Sequence, residues 1–139
     1  MLKTKIKRHI YSKGEIYHIK FGNTFKPEID DVHLGIIFPI KNCNTMFFCL
    51  PLTSAKEKHF IDKKSYDERN IRKLKYKHTY YIKETNSIAL FEQFRAISAN
   101  RIESPYKENH VKVKLTDNEL TKIINAMDIF FLKDIINYK

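Results

Sequence analysis

The fold is decided by residues 33–59, which read HLGIIFPIKNCNTMFFCLPLTSAKEKH. Two apolar runs, residues 33–40 and 45–52, flank the short polar stretch 41–44. Each run has the length of a strand, and its apolar residues are largely continuous rather than alternating. Such runs are typical of strands that are covered on both faces. We therefore predict two neighbouring buried strands joined by a turn.

Polar and charged side chains gather where the second of these strands ends. They are two hydroxyls, two ammonium groups and one imidazole: Thr53, Ser54, Lys56, Lys58 and His59. An imidazole exchanges a proton near neutral pH, and an ammonium group binds phosphate as a point charge. The pattern predicts a site that handles phosphate and protons. The alternative is structural, because a Thr-Ser pair also starts turns and caps helices.

The composition indicates one domain with a basic surface. The 139 residues fall within the usual length of roughly 100–200 residues for a single domain. With 26 Lys and Arg against 16 Asp and Glu, the formal net charge is +10. This excess favours a polyanionic partner, nucleic acid ahead of an anionic membrane surface. The alternative is a basic surface that is merely solvated.

The sequence predicts a cytoplasmic protein with reduced thiols. The basic residues 1–8 are not followed by the apolar segment that a secretory signal needs. No apolar run approaches the length of about 20 residues that spans a bilayer. Cys43 and Cys49 lack the spacing of a metal site. We expect neither a bound metal nor a cofactor.

Further strands are predicted on both sides of the central pair. Residues 15–21 alternate, which places Tyr17, Ile19 and Phe21 on one face of a strand. The other predicted elements are strands at 78–83, 87–91, 91–98 and 110–115, a helix at 66–74 and a helical turn at 99–102.

Two capping boxes predict the helices. Ser65 and Glu68 have the spacing of such a box before the short helix, and Thr116 and Glu119 have it before a longer amphipathic helix at the C-terminal end. The longer helix also has the two residues of a hydrophobic staple, Leu115 and Leu120. We expect this helix to pack one face against the sheet.

Three sequence blocks follow one another in an order that a known family shares. They are GEIY at 14–17, HLGII at 33–37 with PLTS at 51–54, and ALFEQFRAISANRI at 89–102. In this order the chain resembles the MazF/PemK/Kid superfamily of toxin endoribonucleases, including the ToxN-type toxins. The run PLTSAKEKH at 51–59 is more similar to the ToxN type, whereas the block at 89–102 is more similar to MazF and PemK. Many MazF-type members have Arg-Pro where this chain has His33-Leu34.

The resemblance implies both a fold and a reaction. The implied fold is α+β: a small, curved, antiparallel, barrel-like sheet with short helices and a C-terminal amphipathic helix. The implied activity is metal-independent cleavage of single-stranded RNA. The 2′-OH of the substrate attacks the adjacent phosphorus, and the products carry a 2′,3′-cyclic phosphate and a 5′-OH. Such an enzyme accepts one proton, donates another and stabilises negative charge.

The resemblance also implies the catalytic residues. His33 takes the general acid/base position, while Thr53 and Ser54 supply the catalytic hydroxyl and phosphate contacts. Lys56 stabilises charge on the phosphate, and Arg95 grips the phosphate with two parallel N–H donors. Each has a structural alternative. His33 suits a buried core histidine, Lys56 a solvated lysine, and Arg95 a salt bridge to Glu28 or Glu92.

Candidate RNA-binding residues lie around these groups. Phe25 is the candidate for base stacking, since Tyr17 and Phe21 suit core packing better. Gln93 is expected on the same sheet face as Arg95, and His59 at the surface. The complete set is Phe25, Lys58, His59, Gln93, Ser98 and Arg101. Arg101 suits a structural contact equally well.

The expected partners follow from the same resemblance. They are a single-stranded RNA substrate and a cognate antitoxin, either a small repeat RNA, which is favoured, or a small acidic protein. The expected assembly is a homodimer or a toxin–RNA complex. Two other functions stay open: a toxin of the same fold that inhibits DNA gyrase without cutting RNA, and a non-catalytic RNA-binding module.

Overall fold

A computed structural model describes residues 11–22, 31–68 and 70–136. These residues form an α+β structure in which a seven-stranded sheet carries one C-terminal helix. The strands of the main sheet are β1 (Ile16–Lys20), β2 (Val32–Pro39), β3 (Met46–Ser54), β4 (Thr79–Ile82), β5 (Ser87–Leu90), β6 (Arg95–Ser98) and β7 (Ile102–Pro105). Besides four short 3-10 turns, the other described elements are the two-residue strands β8 (Lys107–Glu108) and β9 (Val111–Lys112), the helix α1 (Asp117–Ile129) and a π-helix (Phe130–Ile136).

The sheet is antiparallel throughout and runs in the order β4-β5-β3-β2-β1-β7. The long strand β3 divides one of its edges between two partners. Its first half pairs with β6 and its second half with β5. The predicted α+β class and antiparallel sheet are confirmed. In the described residues the sheet is not closed, so the barrel-like form remains an expectation.

Both faces of the central strands are buried, as the continuous apolar runs predicted. On one face lies the helix-side core, in which α1 contributes Leu120, Ile123 and Met127. On the opposite face lies the far-side core, which comprises Tyr17, Ile19, Phe21, Ile37, Phe47, Cys49, Ile97 and Ile102. Two cores on one sheet explain why β2 and β3 have almost no polar residues before their ends.

The cap of α1 has the predicted geometry. The hydroxyl of Thr116 accepts from the backbone N–H of Glu119 at 3.2 Å, and the Glu119 carboxylate accepts from the backbone N–H of Thr116 at 3.2 Å. Leu115 and Leu120, the predicted staple pair, are both buried in the helix-side core. The predicted C-terminal helix is therefore confirmed, and it is attached to the sheet at its first turn. No helix in the described ranges is long and apolar enough to cross a bilayer.

The predicted helix at 66–74 is wrong. The segment doubles back as an irregular hairpin, with isolated bridges between Phe60 and Leu74 and between Tyr66 and Arg72. A turn replaces the helix because the carbonyl and carboxylate of Asp67 accept from the backbone N–H groups of the residues at its tip. The predicted edge strand at 110–115 is also shorter than expected, since Val111–Lys112 pairs with β8 and Lys114 makes an isolated bridge to Glu15.

Candidate functional site

A small cavity of about 210 Å³ opens where β3 ends, and we call it the strand-end pocket. Three of the predicted catalytic residues line it together: His33 from β2, and Thr53 and Ser54 from β3. His33 and Thr53 are half-buried, and Ser54 is exposed. One predicted imidazole and two predicted hydroxyls thus belong to residues of a single solvent-accessible pocket, with His33 and Thr53 on one face of the sheet and Ser54 on the other.

The strand register explains why these residues meet. Gly35 of β2 pairs with Pro51 of β3 in the antiparallel ladder. This is the last pair of the ladder, and His33 and Thr53 each lie two residues beyond it, on the same face of the sheet. Since neighbouring side chains on a strand point to opposite faces, Thr53 and Ser54 leave the sheet in different directions. The polar residues of β2 and β3 thus lie at the ends of the two apolar runs.

Two residues that sequence reasoning missed also line the strand-end pocket. His18 comes from the middle of β1, where it pairs with Leu34 of β2. Ser87 opens β5 opposite Ser54, and its hydroxyl donates to the carbonyl of Thr85 at 3.1 Å. Along β1, His18 points away from the face that carries Tyr17, Ile19 and Phe21. This alternation could have indicated that His18 does not pack in the same core as those residues. The sequence offers no comparable signal for Ser87.

Arg95 lies on the same face of the sheet as His33. Arg95 pairs with Cys49 of β3, and His33 pairs with Ile19 of β1, so both follow the far-side core. Both approach the ring of Phe21: its centroid is 4.8 Å from the Arg95 guanidinium carbon and 6.5 Å from the centroid of the His33 ring. The guanidinium and the imidazole therefore lie on one side of the sheet and share one aromatic neighbour.

Burial and charge around Arg95 explain the state of the neighbouring thiol. Cys49 is fully buried, and burial raises the pKa of its thiol, against the smaller opposing effect of the Arg95 charge. Cys43 and Cys49 are both free thiols, as the sequence predicts. The buried Cys49 is therefore a neutral packing residue beside Arg95.

Lys56 begins a short 3-10 turn (Glu57–His59) directly after β3. Its backbone N–H donates to Nδ1 of His59 at 2.9 Å, and the backbone N–H of His59 donates to the Lys56 carbonyl at 3.0 Å. His59 is 8% exposed, so its predicted place at the surface is wrong. Burial lowers the pKa of His59, and the charges of Lys58 and Lys56 lower it further. His59 shapes the turn from which the exposed Lys56 side chain extends.

Lys56 also lines a second and larger cavity, which we call the side cleft. Its volume is about 840 Å³, and three aromatic side chains contribute to its walls, Phe60, Tyr66 and Tyr81. The cleft begins at Ala55, the residue after Ser54. The strand-end pocket and the side cleft are thus joined by consecutive residues of one chain segment.

The remaining predicted residues lie elsewhere. Gln93 is buried in a 3-10 turn (Phe91–Gln93) before β6, so its predicted place on one strand face with Arg95 is wrong. The Ser98 hydroxyl accepts from the backbone N–H of Asn100 at 3.3 Å and caps the next 3-10 turn. Arg101 donates from Nη1 to the carbonyl of Lys20 at 3.2 Å. Lys58 is exposed on the turn after β3, and Phe25 lies outside the described residues.

The helical turn predicted at 99–102 is observed as a 3-10 turn (Ala99–Arg101) between β6 and β7. Its cap by Ser98 and the contact from Arg101 to β1 give these two residues a structural role at the corner of the sheet. In residues 11–22, 31–68 and 70–136, no cluster of three or more His, Cys, Asp or Glu side chains is placed to hold a metal ion.

A scan against protein-family models finds no family that matches this chain. A search of curated proteins likewise finds no match.

Proposed function

We propose that this protein is a metal-independent endoribonuclease that cleaves single-stranded RNA, with the curved, barrel-like sheet of MazF-, PemK- and ToxN-like toxins. One observation carries the proposal: His33 of β2 and the consecutive residues Thr53 and Ser54 of β3 line one pocket at the end of β3. Lys56 follows this pocket on the same chain segment, and Arg95 lies on the same sheet face as His33.

The chemistry assigned to the pocket is an internal displacement at phosphorus. The 2′-oxygen forms a bond to phosphorus, its proton passes to a base, the bond to the 5′-oxygen breaks, and that oxygen takes up a proton. In this proposal His33 exchanges these protons, since imidazole is the side chain most often used for general acid–base catalysis. The hydroxyls of Thr53 and Ser54, which leave the strand end in different directions, are the candidates for contact with the phosphate oxygens. The substrate supplies its own nucleophile, so no metal ion is needed to generate one.

Positive charge stabilises the transition state in this proposal. The phosphorane oxygens gain negative charge as the 2′-oxygen attacks, and fixed cations near them lower the barrier. Lys56 is exposed next to the pocket, and Arg95 is half-buried beside Phe21. The net charge of +10 adds a long-range attraction for RNA, so binding should weaken steeply as salt is added.

The proposed context is a toxin of a bacterial or phage toxin–antitoxin module that acts in the cytoplasm. A small repeat RNA is the favoured antitoxin, with a small acidic protein as the other candidate. A homodimer or a toxin–RNA assembly is the proposed active or stored form. The DNA next to the gene separates the two antitoxins, since tandem short repeats before the start codon indicate RNA and an acidic reading frame upstream indicates protein.

A gel assay on long single-stranded RNA with EDTA tests the activity. We expect the parent protein to cut RNA to 5′-OH products in EDTA. The variants Ser54→Ala, Thr53→Ala and His33→Ala should cut at least tenfold more slowly, since each removes a group of the pocket. If all three cut as fast as the parent, the site is wrongly assigned. If the parent leaves RNA intact but stays toxic, a gyrase-directed toxin is favoured, and salt-sensitive RNA binding alone indicates a non-catalytic module.

A further inference from the structure

The side cleft has the aromatic walls that flat ligands require. Phe60 and Tyr81 meet edge to face, with their ring centroids 5.9 Å apart. The Arg72 guanidinium lies over the ring of Phe60, 4.1 Å from its centroid. Tyr66 borders the same cleft and is 51% exposed, although a Tyr side chain normally packs much of its ring. A planar aromatic ligand finds stacking surfaces here.

Among the described residues that line the cleft, the single carboxylate, Glu57, is paired with an arginine. Glu57 accepts from both terminal nitrogens of Arg72, at 3.0 and 2.8 Å. The hydrogen bond from Arg72 lowers the pKa of Glu57, so the pair stays ionised and internally balanced. Lys56 and Lys83 also line the cleft. The electrostatic balance of the cleft is therefore positive, which suits a ligand that carries negative charge.

Hydrogen-bond donors accompany the positive charge. The hydroxyl of Tyr81 donates to Oδ1 of Asn86 at 2.8 Å, which leaves the amide NH₂ of Asn86 as a donor at the cleft. Flat apolar walls, donors at the rim and excess positive charge together match a nucleotide, whose base has a planar face and carbonyl or ring-nitrogen acceptors.

The side cleft lies next to the pocket in which the proposed reaction takes place. Ser54 lines the strand-end pocket, and Ala55 and Lys56 line the side cleft. Two residues of extended chain span about 7 Å at most. A strand of RNA whose phosphate rests beside Ser54 therefore reaches the side cleft with a neighbouring base.

We propose that the side cleft binds one unpaired nucleobase adjacent to the cleaved phosphodiester, and so contributes to the choice of cleavage site. The base stacks against the tyrosine rings, Tyr66 at the mouth and Tyr81 in the wall. Lys56 and Lys83 balance the charge of the flanking phosphates. This inference rests on the proposed nuclease function for its place in the reaction, but nucleotide binding in the cleft is measurable without cleavage.

The first test measures binding of the four nucleoside 5′-monophosphates by NMR titration, with ribose 5-phosphate as the probe that lacks a base. We expect at least one nucleotide to bind about tenfold or more tightly than ribose 5-phosphate, with shifts at the Tyr66 and Tyr81 rings. Tyr66→Ala should weaken that nucleotide about tenfold. The matched control is Tyr76→Ala, which removes a similarly exposed tyrosine, 45% against 51%, that does not line the cleft.

The results that overturn the inference are specific. Equal affinity for every nucleotide and for ribose 5-phosphate, or an unchanged affinity in folded Tyr66→Ala, means that the cleft does not bind a base. Tyr81→Phe provides a second readout, because it keeps the ring and removes the hydrogen bond to Asn86. It should retain stacking and alter the ranking of the four nucleotides, and an unchanged ranking argues against base reading by Asn86.

Sequencing of RNA ends separates this inference from the proposed nuclease. If the parent cuts RNA, Tyr66→Ala should change the base preference at one position next to the cut, whereas Tyr76→Ala should not. An unchanged preference rejects the cleft and leaves the nuclease standing. If the parent does not cut RNA but binds nucleotides at Tyr66 and Tyr81, the nuclease is rejected and the nucleotide site remains.

Discussion

The backbone N–H of Lys56 donates a hydrogen bond to Nδ1 of the buried His59 over 2.9 Å. This contact needs a neutral imidazole with a free electron pair on Nδ1, and burial, which lowers the pKa of His59, favours that form. The backbone N–H of Lys75 in turn donates to the His59 carbonyl at 2.9 Å. His59 therefore connects the turn after β3 to the segment that returns toward β4. It acts as a positioning residue for Lys56.

His59→Ala and His59→Asn test this role. The alanine variant leaves the Lys56 N–H without its acceptor and opens a cavity, so we expect the free energy of unfolding to fall by about 2 kcal/mol. Cleavage by the folded fraction should fall because Lys56 loses its fixed position. Asparagine places an oxygen near the former Nδ1, so His59→Asn should restore much of the stability and much of the cleavage rate. Urea unfolding and single-turnover RNA cleavage provide the measurements, and equal behaviour of the two variants would refute the positioning role.

His33→Gln separates proton exchange from hydrogen bonding. Glutamine retains polar contacts at the strand-end pocket, but it does not exchange a proton near neutral pH. We expect single-turnover cleavage to slow by about 10²–10⁴-fold, the usual contribution of a positioned acid or base. His78→Gln is the control, since His78 is a half-buried histidine whose ring is 3.9 Å from a Glu92 oxygen, away from the pocket. Similar rates for the two variants would remove His33 from the chemistry.

Arg95→Met and Arg95→Lys test the charge beside Phe21. Methionine keeps much of the packing volume and removes the charge, so cleavage should fall by about 30-fold if the guanidinium stabilises the transition state by about 2 kcal/mol. Lysine keeps the charge without the two parallel donors, so the cleavage rate of Arg95→Lys should lie between those of the parent and Arg95→Met. RNA cleavage at substrate saturation is the measurement. A rate unchanged in Arg95→Met, with a stable fold, would assign Arg95 to structure alone.

Arg101→Met is the matched control for Arg95. Arg101 donates to the carbonyl of Lys20 and so joins the β6–β7 corner to the end of β1. We expect its loss to lower the free energy of unfolding by about 1 kcal/mol, as for an ordinary hydrogen bond. Cleavage per folded molecule should not change. A large fall in cleavage at unchanged stability would instead support the predicted contact of Arg101 with RNA.

The predictable parts of the fold are those in which local pattern and tertiary packing agree. The alternation of β1 and the apolar runs of β2 and β3 match the faces that these strands bury when they pair in the sheet. The capping box at Thr116 lies just before an apolar helical face, so the same residues start α1 and attach it to the core. In both cases one pattern meets two independent requirements.

The same signal failed at Ser65 because only the local requirement was met. Ser65 and Glu68 have the spacing of a capping box, but no apolar face at helical spacing follows them. Asn70 instead takes a left-handed conformation with φ of 60°, and the segment turns back there. The Ser65 hydroxyl is buried with no hydrogen-bond partner in the described part of the chain, so it caps nothing.

The candidate site was predictable where it follows strand ends and not where it depends on the hairpin. His33, Thr53 and Ser54 lie at the ends of two predicted strands, so their meeting follows from strand pairing. Tyr66 and Arg72 reach the side cleft only because residues 60–74 fold back, and no local pattern shows that contact. Gln93 was misplaced because a 3-10 turn interrupts an alternation that the sequence alone reads as one strand.

The carboxyl groups of Glu84 and Glu119 make the stability of the protein depend on pH. Burial, followed by the hydrogen bond with Glu119 and its charge, raises the pKa of Glu84 to about 7 from its ordinary 4.5. The hydrogen bond with Glu84 lowers the pKa of Glu119. The stability that ionised Glu119 contributes is therefore lost only below pH 4.5. Between pH 4.5 and 7 the folded chain holds a proton on Glu84 that the unfolded chain releases, so stability falls as pH rises through this window.

Glu84→Gln should remove this dependence, because an amide donates the same hydrogen bond at every pH. Comparing urea unfolding at pH 5 and pH 8, we expect the parent to lose about 1 kcal/mol relative to the variant, a value reduced for the partial exposure of Glu84. Glu103→Gln, at an exposed carboxylate, is the control and should follow the parent. His59 contributes the opposite slope in all three proteins, since its lowered pKa makes stability rise with pH up to about 6.5, and it cancels in the difference. Parallel curves for the parent and Glu84→Gln would mean that Glu84 and Glu119 share no proton.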